Sequence, residues 1–318
     1  MLNKYLSIIL DYVMNPRDCL YPMMLVSLMT LFSVSSASNA QAQFDWKQVE
    51  QAIGKAGTMQ PDGVYKVGLP RTDLHVKVGE IEVKPTLALG SWLAFRKMAA
   101  ETMVMGDLVL LENEVGPVMG KLQEGKIEIT ALHNHVLNES PRIMYMHISA
   151  HGDAVKLAQA IHDALVLSKT PLTAPPPSQP ADQINLDTKQ IDQIMGRSGK
   201  INGGVYQFAV ARSEQITEGE IGRGAEPIPA SMGLATAINF QSTSPGHAAI
   251  TGDFVLIAGE VNPVMATLRS NGIAVTAVHS HMLEESPRLF FMHFWANDDP
   301  LKLARGLRAA LDRTNSAK

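Results

Sequence analysis

The chain carries one motif twice, and that duplication constrains its fold more than any other feature. Ala131-Leu132-His133-Asn134-His135 leads to Glu139-Ser140-Pro141-Arg142 and then to Met146-His147. Ala277-Val278-His279-Ser280-His281, Glu285-Ser286-Pro287-Arg288 and Met292-His293 repeat it with every interval preserved. Self-similarity on this scale means one structural plan built twice. Any fold proposed for the first half must also serve the second.

The flanking patterns are duplicated as well. Trp46, Val49, Ile53 and Ala56 mark one face of a short helix, and Gln190, Ile191, Ile194 and Met195 repeat it. Strands open at Gly63-Val64-Tyr65 and Gly204-Val205-Tyr206, and the apolar runs 86–95 and 232–240 read as further strands. Gly106-Asp107-Leu108-Val109-Leu110 and Gly252-Asp253-Phe254-Val255-Leu256 are strands whose Gly-Asp reads as a turn at the strand start. Short helices follow over 114–122 and 260–268. Pro117 and Pro263 fall in their first turns, where a missing N–H costs little. Strands 127–136 and 273–282 then lead through Glu-Ser-Pro turns into strands 142–150 and 288–296. A final helix closes each unit; in the second, Asp299 caps it and Leu303, Leu307 and Leu311 form its buried stripe. This β-α-β-β-α core predicts an α+β fold of two tandem repeats, each a mostly antiparallel or mixed sheet with helices packed on one face.

The boundaries follow. Residues 43–168 form the first repeat and 186–318 the second, each long enough to bury a core. Residues 169–185 contain Pro171, Pro175, Pro176, Pro177 and Pro180 and predict a stiff, extended linker. Residues 1–42 read as a signal peptide: an apolar run from Met23 to Val34 precedes Ala40-Gln41-Ala42, an A-x-A cleavage site. This predicts a periplasmic or secreted protein. Cys19, the single cysteine, would leave with the signal, so disulfides and thiol chemistry are not expected. No later stretch approaches the roughly 20 apolar residues of a spanning helix. With a net charge of −4, nothing points to nucleic acid as a partner.

The histidines carry the functional signal. Side chains alternate along a strand, so His133 and His135 share a face. A simple hairpin centred near Ser140 would set His133 opposite His147. Three imidazoles per repeat would then converge: His133, His135 and His147 in the first, His279, His281 and His293 in the second. Six of the ten histidines fall into these repeat-matched pairs; His75, His151, His162 and His247 have no counterpart. Imidazole beside carboxylate suits zinc, copper, nickel or iron. Glu139, Glu285, Glu114 and Glu260 are further candidates as ligands or acid–base groups, although a carboxylate in a helix's first turn is favoured by the dipole alone. Arg71 and Arg212, each followed by an acid two residues on, read as surface ion pairs or as binders of an anionic ligand. His-x-His-x₃-Glu is also a fragment of the cupin metal motif, but the interposed helices break the all-β pattern such a barrel needs.

On these residues the sequence resembles the LppY/LpqO family of exported bacterial proteins. The resemblance rests on Gly-Asp-Leu-Val-Leu, on Glu-Val-x-Pro-Val-Met, and on the His-x-His, Glu-Ser-Pro-Arg and Met-His segments with their second copies. It implies an envelope or secreted location and no established chemistry. Members that are lipoproteins need a cysteine directly after the apolar run, and Ala-Gln-Ala-Gln stands there instead, which argues against a lipid anchor. Four readings follow: a binder of a divalent transition metal with one site per repeat, a metal-dependent or His/Glu acid–base hydrolase, a non-catalytic module gripping a small molecule or envelope component, and a protein whose histidines serve only its stability.

Overall fold

Both repeats fold into the same six-stranded antiparallel sheet, and each sheet buries both of its faces. The structure is a computed structural model that describes residues 44–173, 184–218 and 226–317. The expected signal peptide, its expected cleavage site and most of the expected Pro-rich linker lie outside the described residues. The first repeat runs α1 (Lys47–Ile53), β1 (Thr58–Met59), β2 (Val64–Pro70), β3 (Val76–Val78), β4 (Ile81–Val83), α2 (Pro85–Ala88), β5 (Gly90–Lys97), β6 (Thr102–Leu111), α3 (Glu112–Glu124), β7 (Glu128–His133), β8 (Glu139–Ser140), β9 (Ile143–Gly152) and α4 (Ala154–Leu165). The second runs α5 (Thr188–Met195), β10 (Lys200–Asn202), β11 (Val205–Ala211), β12 (Thr217–Glu218), a 3₁₀ turn (Ala230–Met232), β13 (Ala235–Ser244), β14 (His247–Ile257), α6 (Ala258–Ser270), β15 (Ala274–His279), β16 (Glu285–Ser286), β17 (Leu289–Asp298) and α7 (Pro300–Leu311). Sheet orders are β1-β2-β5-β6-β9-β7 and β10-β11-β13-β14-β17-β15. The expected α+β tandem repeat is present, with the sheets antiparallel and not mixed.

Alternation along the strands explains how one sheet serves two cores. Leu108 and Leu110 of β6 and Met146 of β9 point to the helices, where they meet Val118 and Leu122 of α3 and Leu157 and Ile161 of α4. Phe254, Leu256 and Met292 do the same against α6 and α7. Residues of opposite parity face the other repeat. Met103 and Met105 pack with Val255 and Phe291, and Val109 and Tyr145 pack with Val205 and Ala249. The layers are therefore helix, sheet, sheet, helix, and β6 is buried from Thr102 to Leu110. Two-sided burial matches the near-continuous apolar runs of β6 and β14. Among the described residues no helix is long and apolar enough to cross a membrane.

Close backbone approach fixes the glycine of each Gly-Asp pair. A Cβ on Gly252 would lie 1.9 Å from Ala237 O, and one on Gly106 would lie 2.9 Å from Trp92 O. Both glycines sit inside strands, not at a turn. The Gly-Asp turn expected at each strand start is thus replaced by a mid-strand position in β6 and β14.

Three other expectations change. The helices begin two residues earlier than the pattern suggested, so Pro117 and Pro263 lie inside α3 and α6 rather than in the first turn. Both prolines are exposed, which leaves the carbonyl freed by each missing N–H on the solvent side. Helix α1 stops at Gly54 and α5 at Gly196, each left-handed, so Ala56 of the expected first face falls beyond its helix. Residues 85–88 form a helical turn before β5, opened by Pro85.

Arg71 and Arg212 are neither surface pairs nor open to a ligand. Arg71 is fully buried at the end of β2, and its guanidinium donates to Asp73, to Val109 O at 2.7 Å and to Glu114 at 2.8 and 3.2 Å. All five donors of the planar fork are thereby used. Arg212 repeats the arrangement with Glu214, Val255 O and Glu260. Glu114 also accepts the amides of Leu111 and Lys169, and Glu260 those of Ile257 and Asn315. Each glutamate thus caps its helix while locking the arginine.

Burial alone would raise the Glu114 pKa, but the bonds from Arg71 and the two amides outweigh it and hold the carboxyl below its usual 4.5. A depressed folded value means that this stabilisation is complete above about pH 4.5 and is lost as pH falls through the folded pKa. Glu114→Ala strands a buried guanidinium and is expected to cost about 3–5 kcal/mol in urea unfolding at pH 7. A loss under about 1 kcal/mol, within the range of exposed pairs, would contradict the lock.

Candidate metal centre

The six repeat-matched histidines meet between the two sheets. His133 ends β7, His147 lies in β9 and His135 follows β7 by two residues; His279, His293 and His281 take the equivalent places. Register differs from the simple hairpin. His147 pairs with Ala131 and His133 with Tyr145, because the ladder shifts between Ile129 and Ala131. His133 is therefore diagonal to His147 on the same face, within reach of it. Strand β7 also ends three residues sooner than expected, which leaves His135 in the turn.

The rings pair across the repeats about an approximate two-fold. The centroids of His133 and His279 lie 3.5 Å apart, those of His135 and His293 3.9 Å, and those of His147 and His281 3.7 Å. Within the first repeat, His133 lies 5.1 Å from His135 and 5.0 Å from His147. Within the second, both corresponding distances are 4.9 Å. Tyr145 stacks on His135 and Phe291 on His281, each at 3.3 Å, so these aromatics wall the cluster. Each repeat's triad converges as expected, and the two triads abut in a single cluster.

In three of the six rings Nδ1 faces a backbone carbonyl. His293 Nδ1 lies 2.9 Å from Gly252 O, and the Nδ1 atoms of His133 and His279 lie 3.3 Å from the carbonyls of Asn134 and Ser280. An Nδ1–H given to a carbonyl leaves Nε2 as a bare lone pair. The Nε2 atoms of all six histidines are buried without a hydrogen-bond partner. Desolvation lowers all six pKa values, with mutual repulsion adding to it in most: His133 to about 3, His279 to about 4 and the other four well below 6.5. The imidazoles are therefore neutral at pH 7. Ligand nitrogens of His133, His135 and His147 lie within 4.8 Å of one another, as do those of His133, His279, His281 and His293. These buried groups could hold a metal ion.

Two carboxylates join them that sequence reasoning missed. Asp107 pairs with His147 across β6 and β9, and Asp253 pairs with His293 across β14 and β17. Asp107 Oδ2 lies 3.8 Å from His135 Nε2, and its Oδ1, buried and unpaired, lies 3.9 Å from His147 Nε2. Burial, then the Asp253 charge, raises the Asp107 carboxyl well above its usual range, and burial raises Asp253 to about 7. The usable signal was the repeat itself, which places an aspartate beside the third histidine in both copies.

The four glutamates stand elsewhere. Strands β8 and β16 turn aside to pair with β3 and β12. That carries Glu139 onto the Ile143 amide at 3.4 Å and Glu285 onto the Leu289 amide at 2.8 Å and Arg288. Glu114 and Glu260 stay in the arginine locks described above. Beside the cluster opens a cavity of about 770 Å³, lined by Asp107, His135, His147, Asp253, His281 and His293 and by residues of both sheets.

Protonation of the unfolded chain sets the acid stability of the metal-free protein. Unfolded imidazoles take protons below about pH 6.5 while the folded ones resist, so each lowered histidine pKa gives stability that is lost as pH falls from 6.5. The raised aspartates act in the opposite sense, the contribution of Asp253 fading as pH rises from about 4 towards about 7. Six groups outweigh two. Chelator-treated protein is expected to lose thermal stability continuously between pH 7 and pH 5; a flat or rising melting temperature over that interval would contradict the buried neutral cluster.

Among curated proteins no relative matches the chain. Two solved structures align with it at low similarity. One is the trimeric bacterial microcompartment shell protein PduB, with 12% identity, 79% of this chain and 87% of that one covered, and a TM-score of 0.19. The other is EtuB from Clostridium kluyveri, with 9% identity, coverage of 80% and 88%, and a TM-score of 0.20. At those scores the likeness carries no argument about fold or assembly. A family model described as a Domain of Unknown Function (DUF1259) matches residues 47–167 and again 189–313, once per repeat, and the chain belongs to that family.

Proposed function

We propose that the chain binds divalent transition metal ions between its repeats, one on each histidine triad, with Asp107 and Asp253 offsetting the added charge. The observation that carries this reading is the set of six buried Nε2 atoms without hydrogen-bond partners. An unsatisfied buried polar atom costs about 1–3 kcal/mol. Six in one place form a strongly disfavoured arrangement that a cation relieves. Two nitrogens on one ion lie at most about 4.2 Å apart, twice a bond of about 2.1 Å. On a tetrahedral ion with such bonds neighbouring nitrogens stand about 3.4 Å apart, so groups already within 4.8 Å close on it through side-chain shifts of at most about 0.7 Å each. Imidazole and carboxylate suit zinc, copper, nickel or iron.

The reading also favours an open centre over a closed one. Three imidazoles per ion leave a position for water or a ligand, and the adjoining cavity supplies the space. Hydrolysis by a His–Glu pair has no such support, since Glu139 and Glu285 are held in their turns. The apolar run before Ala42 and the motifs shared with the LppY/LpqO family support an exported location, which cell fractionation and the mass of the mature N-terminus would check.

Untagged protein, stripped with chelator and dialysed against zinc, is expected to retain about two equivalents per chain and to melt at a higher temperature. His147→Ala and His293→Ala are each expected to lower that content while circular dichroism stays unchanged. Uptake well below one equivalent, or uptake indifferent to both substitutions, would overturn the reading.

A further inference from the structure

The cavity beside the histidines holds a cation that makes no ion pair among the described residues. Lys66 lies on the inner face of β2, and the cavity it lines also reaches Asp107, His147, Asp253 and His293. Its Nζ stands 4.6 Å above the centre of the Trp92 ring and has one acceptor, Ser231 O, at 3.4 Å. Asp62 and Asp253 act on it through space, against the larger effect of desolvation. An ammonium carries three donors. Two of them lack a partner among the described residues.

The second repeat shows that the fold does not need a charge there. Lys66 pairs with Ala94 and Gln207 with Asn239 at the same place in the two ladders. The Gln207 amide donates to Thr86 O at 2.8 Å and accepts from Asn202 at 3.0 Å, so it is satisfied within the protein. Trp92 likewise corresponds to Ala237, since they pair with Asp107 and Asp253. The indole lies against Gly233, where a Cβ would stand 2.5 Å from the ring. Small residues of the second repeat, Ala209, Ala235 and Ala237, leave the space open opposite Trp92.

We propose that this cavity binds a small oxyanion, a carboxylate or phosphate group, between the Lys66 ammonium and the metal centre, with Trp92 packing against the body of the ligand. The proposal rests on the metal reading above. Bound ions turn the floor of the cavity electropositive and offer open coordination positions, and Lys66 supplies a donor on the same space. Such an anion would give the ammonium the partner it lacks, and a charged hydrogen bond of this kind is worth more than a neutral one.

The test uses the full chain loaded with cobalt(II), titrated with inorganic phosphate and, separately, with acetate, followed by visible absorption and calorimetry. At least one anion is expected to shift the cobalt spectrum and to bind. The arm that responds tells a phosphate-type from a carboxylate-type ligand. Lys66→Gln, which installs the residue β11 already carries, is expected to weaken that anion by about tenfold or more at unchanged cobalt content, and Lys66→Arg to restore most of the affinity. Equal anion affinity in wild type and Lys66→Gln, or indifference of cobalt-loaded protein to both anions, would overturn this proposal and leave the metal reading standing. Failure to take up cobalt would overturn both.

Discussion

The structure depends on one constraint: the face of each sheet that the helices do not cover must be buried, and the other repeat is what covers it. A single repeat would leave Met103, Met105, Val109 and Tyr145 towards water, together with three imidazoles and an aspartate. Packing two copies face to face buries the apolar residues favourably and the polar ones at a cost. The polar atoms collect where β7 and β9 meet β15 and β17. The same contact that completes the hydrophobic core therefore creates a place where unpaired imidazole nitrogens accumulate.

Much of this was legible in the sequence. The duplicated period gave two copies of one α+β unit, because apolar spacing along α4 and α7 and alternation along β9 and β17 are local properties of short segments. The shared face of His133 and His147 followed from the same alternation, while His135, beyond the end of β7, joins them from the turn. What could not be read was which surface each repeat uses to meet the other, since that depends on contacts distant in sequence. Two-sided burial of β6 was written in its apolar run, but such a run does not say whether a helix or a second sheet supplies the cover.

The residues that were misread have a common physical cause. Asp107 looked like a turn residue because Gly-Asp is a turn signal, yet Gly106 is small so that backbone can approach at Trp92 O, and the aspartate follows in mid-strand. Arg71 looked like a surface cation because Asp73 is near in sequence, while its decisive partner, Glu114, lies across the fold on α3. Glu139 looked like a ligand because it sits close to His135 in the chain, and β8 then carries it away to β3. In each case short-range spacing gave way to a long-range partner.

Duplication within one chain also permits something a symmetric dimer of single repeats could not achieve. The histidines, the aspartates and the arginine locks kept their two-fold correspondence, as groups that must act together are expected to. The cavity above them did not: Lys66 faces Gln207's place, and Trp92 faces Ala237's. In a homodimer any cation introduced on one side appears on both, and two ammonium groups in one cavity would repel each other. Joined repeats can keep a balanced centre and still present a single ammonium and a single aromatic wall to whatever enters. The asymmetric residues line the cavity and the symmetric ones its floor, which separates the part of the site that would hold the proposed ion from the part that would select its ligand.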